Sequence, residues 1–569
     1  MHPSSAILLM FRRMRAPLIV LILIYAVSVL GLTLIPGADA NGKPWQMGFF
    51  HAFYFISYTA TTIGFGEIPY AFTDAQRMWV IVSIYLSVIG WAYAIGTLLA
   101  LVQDRAFQQA ITLQRFSYRV RHLHEPFYLV CGYGETGQLL CRAFDDMNRR
   151  FVVIDIETSR IDELDLQDLR ADAPGLAADA RQPDNLLQAG LMSRHCVGVI
   201  ALTSDDEANL AVAAATRLLQ RDMPILCRVT RPEIAANMKS FGIHSIINPF
   251  ETFGEYLALA IRSPGSYQLV EWLTATPGST LEAQREPPRG HWILCGYGRF
   301  GQAIFDDLQG EGIDLTVIEP NRSITGSVPQ VTGVGNERLV LEQAGIAQAV
   351  GIIAGTSNDI ANLAIVATAE ELNPALFTVL RQNQQSNSLL FSTFKADFMV
   401  RPAEIIAHEC LGLLTTPLLA RFLAEVKRQG DAWSDALVAR IVQTCGKRVP
   451  ATWNVAINAK GAPALLGELG NGTRVKLGAL LLDPADRQQS LRVVPLLLLR
   501  AGEQHLLPAD DLDLCAGDDI LFASTRSSRS LLLGTLVNVN DLGYVLSGRQ
   551  PGAGWLWRRF ARDNVKGSA

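Results

Sequence analysis

The sequence predicts a membrane α-helical domain followed by two α/β Rossmann-like domains with a C-terminal α+β lobe. Three observations predict it: two long uncharged apolar segments that bracket Thr62-Ile63-Gly64-Phe65-Gly66, a glycine-rich element that occurs twice behind them, and short β-rich runs over 450–525.

At 569 residues the chain exceeds what one hydrophobic core organises, so about three to five units are expected. A formal net charge of −5 with no long charge run argues against a nucleic-acid partner. All eight cysteines follow the second apolar segment and none forms a C-x-x-C pair, which reads as reduced cytosolic thiols rather than a disulfide framework or a zinc site.

The membrane unit is placed at 1–104. Ala16 to Ile35 runs twenty residues without a charge and Met78 to Val102 twenty-five. At about 1.5 Å per residue each spans a hydrocarbon core of about 30 Å. Arg12, Arg13 and Arg15 precede the first and Arg105 follows the second, so the positive-inside bias puts both termini in the cytoplasm and 36–77 outside. A cleaved leader over 1–40, suggested by Ala38-Asp39-Ala40, is set aside, because the apolar run is longer than a usual leader core and its loss would leave a single span.

Gly48 to Thr61 is apolar and aromatic but too short to cross as a helix, which predicts a re-entrant half-helix with His51 on its surface. The irregular backbone that follows must line a pore. With glycines at alternate positions an extended segment can aim its carbonyls one way, so the oxygens of Thr62, Ile63, Gly64 and Phe65, with Gly66 closing the run, replace the water around a K+ ion. One segment is a quarter of such a cage, which implies a homotetramer. On the second span Gly90 and Gly96 interrupt bulky residues; such glycines serve either close helix packing or a hinge, and of the two Gly90 is the expected hinge, by its depth.

Residues 15–104 thereby resemble the pore domain of potassium channels, with outer helix, pore helix, filter and inner helix in that order. Two departures stand: Glu67 where that family commonly has Asp, and Phe65 where Tyr is commoner. Both bear on the hydrogen bonds behind the filter.

After a linker at 105–124 the chain repeats itself. Phe127-Tyr-Leu-Val-Cys-Gly132-Tyr133-Gly134-Glu135-Thr136-Gly137-Gln138 returns as His291-Trp-Ile-Leu-Cys-Gly296-Tyr297-Gly298-Arg299-Phe300-Gly301-Gln302. Gln188-Ala-Gly190 returns as Gln343-Ala-Gly345, and Ala208-Asn209-Leu210-Ala211 as Ala361-Asn362-Leu363-Ala364. Each glycine element follows a strand-like run, opens a helix-like one, and meets an acid eighteen positions beyond its last glycine, Asp155 or Glu319. The glycines allow a tight turn and a close pyrophosphate, the helix N-terminus faces the anion, and the acid takes a ribose 2′-hydroxyl. NAD(H) or an adenine nucleotide is therefore favoured over NADP. Arg299, just inside the second glycine motif, has two readings, pairing with a phosphate or simple solvation.

With this pattern the remainder resembles tandem RCK domains (regulators of potassium conductance, of TrkA-N and TrkA-C type). The first covers 125–288 with its crossover helix, the second core covers 289–410, and 411–569 is its C-terminal lobe and tail. The resemblance implies that Asp179-Ala180 flanks the adenosine and that Thr203 ends the next strand at the same site. The second copy departs there: aligned on the Gln-Ala-Gly element, Val334 replaces Asp179, which makes the first copy the better equipped. Asn248 to Arg262 and Arg401 to Leu414 look like the crossover helices. The lobe carries the turn Ala516-Gly-Asp518-Asp519; its scattered acids over 450–525 read as solvated surface, with a divalent cation as the alternative. The tail Trp555 to Phe560 reads as a disordered end, with contact to a membrane or a neighbouring chain as the alternative.

As a whole the chain resembles the prokaryotic tandem-RCK channels. The resemblance implies no enzyme but a ligand-gated potassium channel in the plasma (inner) membrane, with NAD(H) or ADP/AMP as regulatory ligand. The alternatives are a membrane-tethered NAD-dependent oxidoreductase, for which nine scattered histidines supply no catalytic pattern, and a non-conducting regulator of transport, which has no use for a filter.

Overall fold

The structure, a computed structural model, describes residues 5–243, 245–274, 278, 286–321 and 328–548. The tail Trp555 to Phe560, with both of its readings, lies outside them. The chain forms two compact units, residues 1–124 with 188–193, and the rest.

The first unit is helical. Its long helices are Ser5–Leu34 and Asp74–Gln103, with the short Phe49–Ala60 between them. Met14–Leu34 and Asp74–Gln103, 21 and 30 residues, are long and apolar enough to cross a membrane. The second starts where it does because Thr73 accepts from the Gln76 backbone N–H while the Gln76 side chain reaches back to Thr73, a reciprocal cap for two orphan donors. The two long helices touch where Trp79 lies on Gly31, and its indole Nε1 donates to Ser28 O at 3.0 Å. Val29, Leu32, Ala52, Phe55 and Ile56 form the core beneath. The linker is a helix, Arg105–Arg121, begun by Asp104, whose carboxylate accepts from Phe107 N at 3.1 Å.

The second unit holds two parallel six-stranded sheets of identical topology. The first runs Gly175–Ala177, Arg150–Asp155, Phe127–Cys131, Cys196–Ala201, Ile225–Arg228, Ser245–Ile247, and the second repeats that order from Gln330–Thr332 to Phe398–Val400. Their central strands are buried on both faces, as helix-covered parallel strands must be. Each strand order reverses beside Phe127–Cys131 or His291–Cys295, which puts the crevice at the glycine turns.

The crossover helices are exchanged. Pro249–Arg262 of the first copy sends Phe250, Phe253 and Leu257 into the core around Phe300 and Ile304 of the second. Pro402–Thr415 of the second sends Ile406 and Cys410 into the core around Leu140 and Phe144 of the first. Pro402–Leu414 and Pro417–Val426, bent by 114°, are apolar enough to count as a broken span, yet Cys410 is fully buried in the core of the first copy and Phe422 in a further core with Leu269, Leu437 and Leu497. The lobe is an antiparallel sheet, Ala451–Ala456, Asp519–Ser524, Val493–Arg500, Glu503–Leu506, covered by helices through Leu465, Leu477, Leu532 and Leu542. The eight cysteines are free and seven are buried; burial pushes the Cys227 thiol up to about 12.

Candidate functional site

The pore helix Phe49–Ala60 delivers the chain into a backbone of alternating hand. Thr62, Gly64 and Gly66 have φ of 62°, 65° and 72°, while Ile63 and Phe65 between them stay at negative φ. Ile63 N and Gly64 N both donate to Tyr58 O, at 3.0 and 3.2 Å. N–H groups turned to the pore helix leave the opposite side of the segment for carbonyl oxygens. The two glycines supply left-handed backbone without strain; Thr62 adopts it at a cost, of the kind that collects at functional sites. A Cβ at Gly64 or Gly66 would meet nothing within 4 Å, so it is the backbone, not crowding, that requires glycine.

The two departures in the filter are held by tyrosines that the sequence reading did not assign. Tyr58 OH donates to Glu67 O at 2.9 Å and Tyr54 OH to Glu67 Oε2 at 3.1 Å. The Tyr58 ring meets Phe65 edge-on, with centroids 6.0 Å apart. Their spacing of four on a half-helix was the available signal. The inner helix runs unbroken through Gly90 and Gly96. A Cβ on Gly90 would come 2.6 Å from Ile24 Cδ1 of the outer helix, whereas Gly96 has open space around it.

The glycine turns of the two copies are near twins. Gly132 and Gly296 have φ of 104° and 94°. A Cβ on Gly137 or Gly301 would fall 2.2 or 2.1 Å from the carbonyl of the first glycine, so the third glycine seats the helix on the turn. In the first copy Asp155, buried, accepts from Tyr133 N at 2.6 Å and Glu157 N at 2.8 Å, and pairs with Arg160 Nη1 at 3.3 Å. The acid expected to take a ribose thus first pins the turn. Glu319 does the same for Tyr297 N, at 2.9 Å.

Around these turns the copies diverge. In the first, Arg160 reaches over the loop, its Nη1 3.6 Å from where a Gly134 Cβ would be. Asp179 is gripped by Arg181, with Nη2 2.8 Å from Oδ2 and Nε 3.0 Å from Oδ1, and that hydrogen-bonded cation holds its carboxyl below the usual range. Ala180 next to it is buried. Glu135 and Thr136 open the helix Glu135–Asp146. In the second copy a cavity of about 910 Å³ opens over the turn, lined by Gly296, Gly298, Arg299, Glu319, Val334 and Arg381 among others. Sequence reasoning favoured the first copy; at the second, Val334 stands in the wall of this cavity.

The strand ends that face both turns are fastened by an asparagine. Asn209 Oδ1 accepts from Thr203 N and Oγ1 at 3.0 and 2.8 Å, and its Nδ2 donates to Thr203 O and Arg228 O, both at 3.0 Å. Asn362 repeats this with Thr356 and Arg381. The repeated Ala-Asn-Leu-Ala was visible in sequence, but its task was not. Arg381, absent from the sequence reading, stacks on Phe250 and Phe300 at 5.1 and 4.6 Å, and burial brings its guanidinium down to about 10.

Among the described residues no group of three or more His, Cys, Asp or Glu is placed to hold a metal. Asp518 of the lobe is occupied by Arg500, through Nε–Oδ1 and Nη2–Oδ2 contacts of 2.8 Å each.

The comparisons agree with this geometry. The ion channel family matches residues 18–104 and the TrkA-N domain matches twice, at 128–249 and 292–402. Potassium channel protein 1 of Methanocaldococcus jannaschii is 24% identical over 270 residues, 47% of this chain and 75% of the relative. The Trk system potassium uptake protein TrkA homolog of Pyrococcus abyssi is 31% identical over 168 residues, 28% of this chain and 73% of the relative. The chain belongs to the potassium channel proteins that carry TrkA-N (RCK) domains. Among solved structures the GsuK channel aligns over 96% of this chain and 100% of its own, at 15% identity and a TM-score of 0.47. The potassium channel's pore unit is thus the segment with the alternating backbone, and its TrkA-N units are the two sheets with the glycine turns.

Proposed function

We propose that four copies of this chain form a potassium-selective channel in a prokaryotic plasma membrane, with both termini cytoplasmic, gated by NAD(H), ADP or AMP in its TrkA-N clefts. K+ passes along the carbonyls of Thr62, Ile63, Gly64 and Phe65. The observation that supports this most is the alternation of left-handed backbone at Thr62, Gly64 and Gly66 behind a re-entrant helix. A single chain supplies one wall of such a site, so the cage needs symmetry-related copies around the axis.

Gating is differential binding. A nucleotide shifts the pore only by its unequal affinity for two arrangements of the TrkA-N domains, and several kcal/mol shared over the sites turns a mostly shut pore into a mostly open one, about 5.5 kcal/mol for a full reversal. In the first copy Gly132, Gly134, Gly137, Asp155, Asp179, Ala180 and Thr203 form the cleft; in the second Gly296, Gly298, Arg299, Gly301 and Glu319 do. The linker helix Arg105–Arg121 carries the strain, and the inner helix yields at Gly90, which requires parting it from Ile24. Potassium flux into liposomes holding the purified channel, with and without nucleotide, tests both halves. Equal passage of sodium refutes the filter; flux unchanged up to millimolar nucleotide refutes the gating.

A further inference from the structure

The two glycine turns reach across to each other. The residue after the second glycine is Glu135 in the first copy and Arg299 in the second. Glu135 Oε1 accepts from Gln385 N of the second copy at 2.7 Å, and Arg299 Nη1 donates to Thr230 Oγ1 of the first. Thr230 and Gln385 follow equivalent strands, Ile225–Arg228 and Phe377–Arg381, Thr230 in a loop and Gln385 at the start of the short 3-10 helix Gln385–Asn387.

The contact made by Arg299 leads somewhere. Thr230 is 6% exposed, and both its N–H and its Oγ1 donate to Asp206 Oδ2, at 3.0 and 2.9 Å. Asp206 begins the helix Asp206–Leu219, directly after the loop from Thr203. That loop lies on the first glycine turn, so closely that a Cβ on Gly132 would be 2.8 Å from Thr203 N. Arg299 is therefore one end of a hydrogen-bonded chain that finishes beside the first cleft, and it also lines the cavity of the second.

The second cavity holds two guanidiniums beside its helix N-terminus, with Asp306 and Glu319 also in its lining. Arg381 lines it too, and its buried Nε has no hydrogen-bond partner, while Nη1 is spent on Gly355 O at 3.1 Å. A phosphate at this turn would draw on the guanidinium fork of Arg299, whose strongest acceptor is a planar pair of anionic oxygens rather than a neutral hydroxyl.

We propose that Arg299 is a switch between the two copies: the phosphate of a nucleotide in the second cleft takes Arg299 from Thr230 and so loosens the 203–206 loop at the first cleft. This rests on the reading that the second cleft takes a nucleotide. By linkage, whatever the clasp contributes to closure is subtracted from ligand affinity, and removing the clasp returns it.

Hydrogen exchange on the full-length channel in nanodiscs, titrated with ADP, tests this. Protection at 296–302 and 333–335 is expected, with faster exchange at 229–231 at the same half-saturating concentration. Thr230→Val removes the acceptor for Arg299, and with it one of the two bonds to Asp206, without touching the cavity; it should tighten ADP at the second cleft about tenfold, a change of about 1.4 kcal/mol, and abolish the ADP-dependent change at 229–231, leaving exchange there raised but constant. Protection of the second cleft with unaltered exchange at 229–231 overturns the switch and leaves the nucleotide reading standing. No protection there up to millimolar ADP overturns that reading and the switch with it. If Thr230→Val does not fold, the wild-type exchange pattern alone decides.

Discussion

Asn209 gives the sharpest test of how the strand ends are held against the glycine turns. It is fully buried on helix Asp206–Leu219, and its amide makes four hydrogen bonds, two accepted from Thr203 and two donated to the carbonyls of Thr203 and Arg228. Asn209→Leu keeps the branched shape, with methyls somewhat larger than the amide groups they replace, and removes every one. Thr203 Oγ1 can fall back on Asp205 O, already 2.9 Å away, but the Thr203 N–H and two carbonyls are left without this partner. At about 1 kcal/mol net for each of these three, with a further charge for any that stays buried, the loss comes to about 2–4 kcal/mol. For a domain of 150–250 residues that lowers Tm by roughly 4–16 °C. Differential scanning fluorimetry on the full-length channel measures it. Asn362→Leu in the second copy, with the same four bonds at 2.7–3.0 Å, should cost the same. Asn209→Asp keeps the acceptor but sets a carboxylate against two carbonyl oxygens, so it should melt as low at neutral pH and recover in part on acidification. A shift of under about 2 °C for either leucine variant would refute the claim that these asparagines, rather than the sheet itself, hold the wall of the cleft.

Three further outcomes are expected. Gly64→Ala places a Cβ on backbone at φ 65°, and strain of about 1–2 kcal/mol per chain, repeated around the axis, should abolish potassium selectivity in bi-ionic recordings while leaving nucleotide binding intact. Gly31→Val drives a side chain into Trp79, whose Cε2 lies 2.0 Å from the new Cβ; parting the outer and inner helices should cost about 1–3 kcal/mol and show as loss of assembled channel in detergent. Asp307 sits against Gly254 of the exchanged helix, where burial, then Glu255 and Asp306, push its carboxyl up to about 6. With the folded value above the ordinary 3.8, the stability it supports is full below pH 3.8 and is lost as pH rises through 6. Asp307→Asn should therefore melt higher than wild type at pH 7.5, and the gap should close between pH 6 and 4; a gap independent of pH would count against the assignment.

How much of this was legible depends on whether a feature is local. The apolar runs, the alternate glycines of Thr62 to Gly66 and the spacing from Gly137 to Asp155 all encode backbone, and backbone is where the structure follows them. The doubling of Gly132 to Gln138 in Gly296 to Gln302 likewise foretold two sheets of one topology. What stayed hidden were side-chain partners brought from a distance: Tyr54 and Tyr58 behind Glu67, Arg160 over the first turn, Arg381 inside the second cavity, Thr230 beneath Arg299. Their identities are ordinary in sequence, and only folding sets them beside a turn.

Val334 shows why this matters for function. In sequence its replacement of Asp179 looks like damage to a ligand set. Asp179, however, does not stand alone, for it brings Arg181 with it in a fork of three contacts of 2.8–3.0 Å, and Arg160 leans over the same turn from the other side. A ligand entering the first cleft must compete with those pairs, each already charge-satisfied. At the second turn the counterpart of Asp179 is a half-exposed valine, Glu319 still accepts from Tyr297 N, and the cations Arg299 and Arg381 are bonded to neutral oxygens. Neutral partners are the weaker claim on a guanidinium. On the proposed reading that these clefts take a nucleotide, the second is the one whose cations a phosphate recruits without first breaking an ion pair, so the two clefts should differ in threshold.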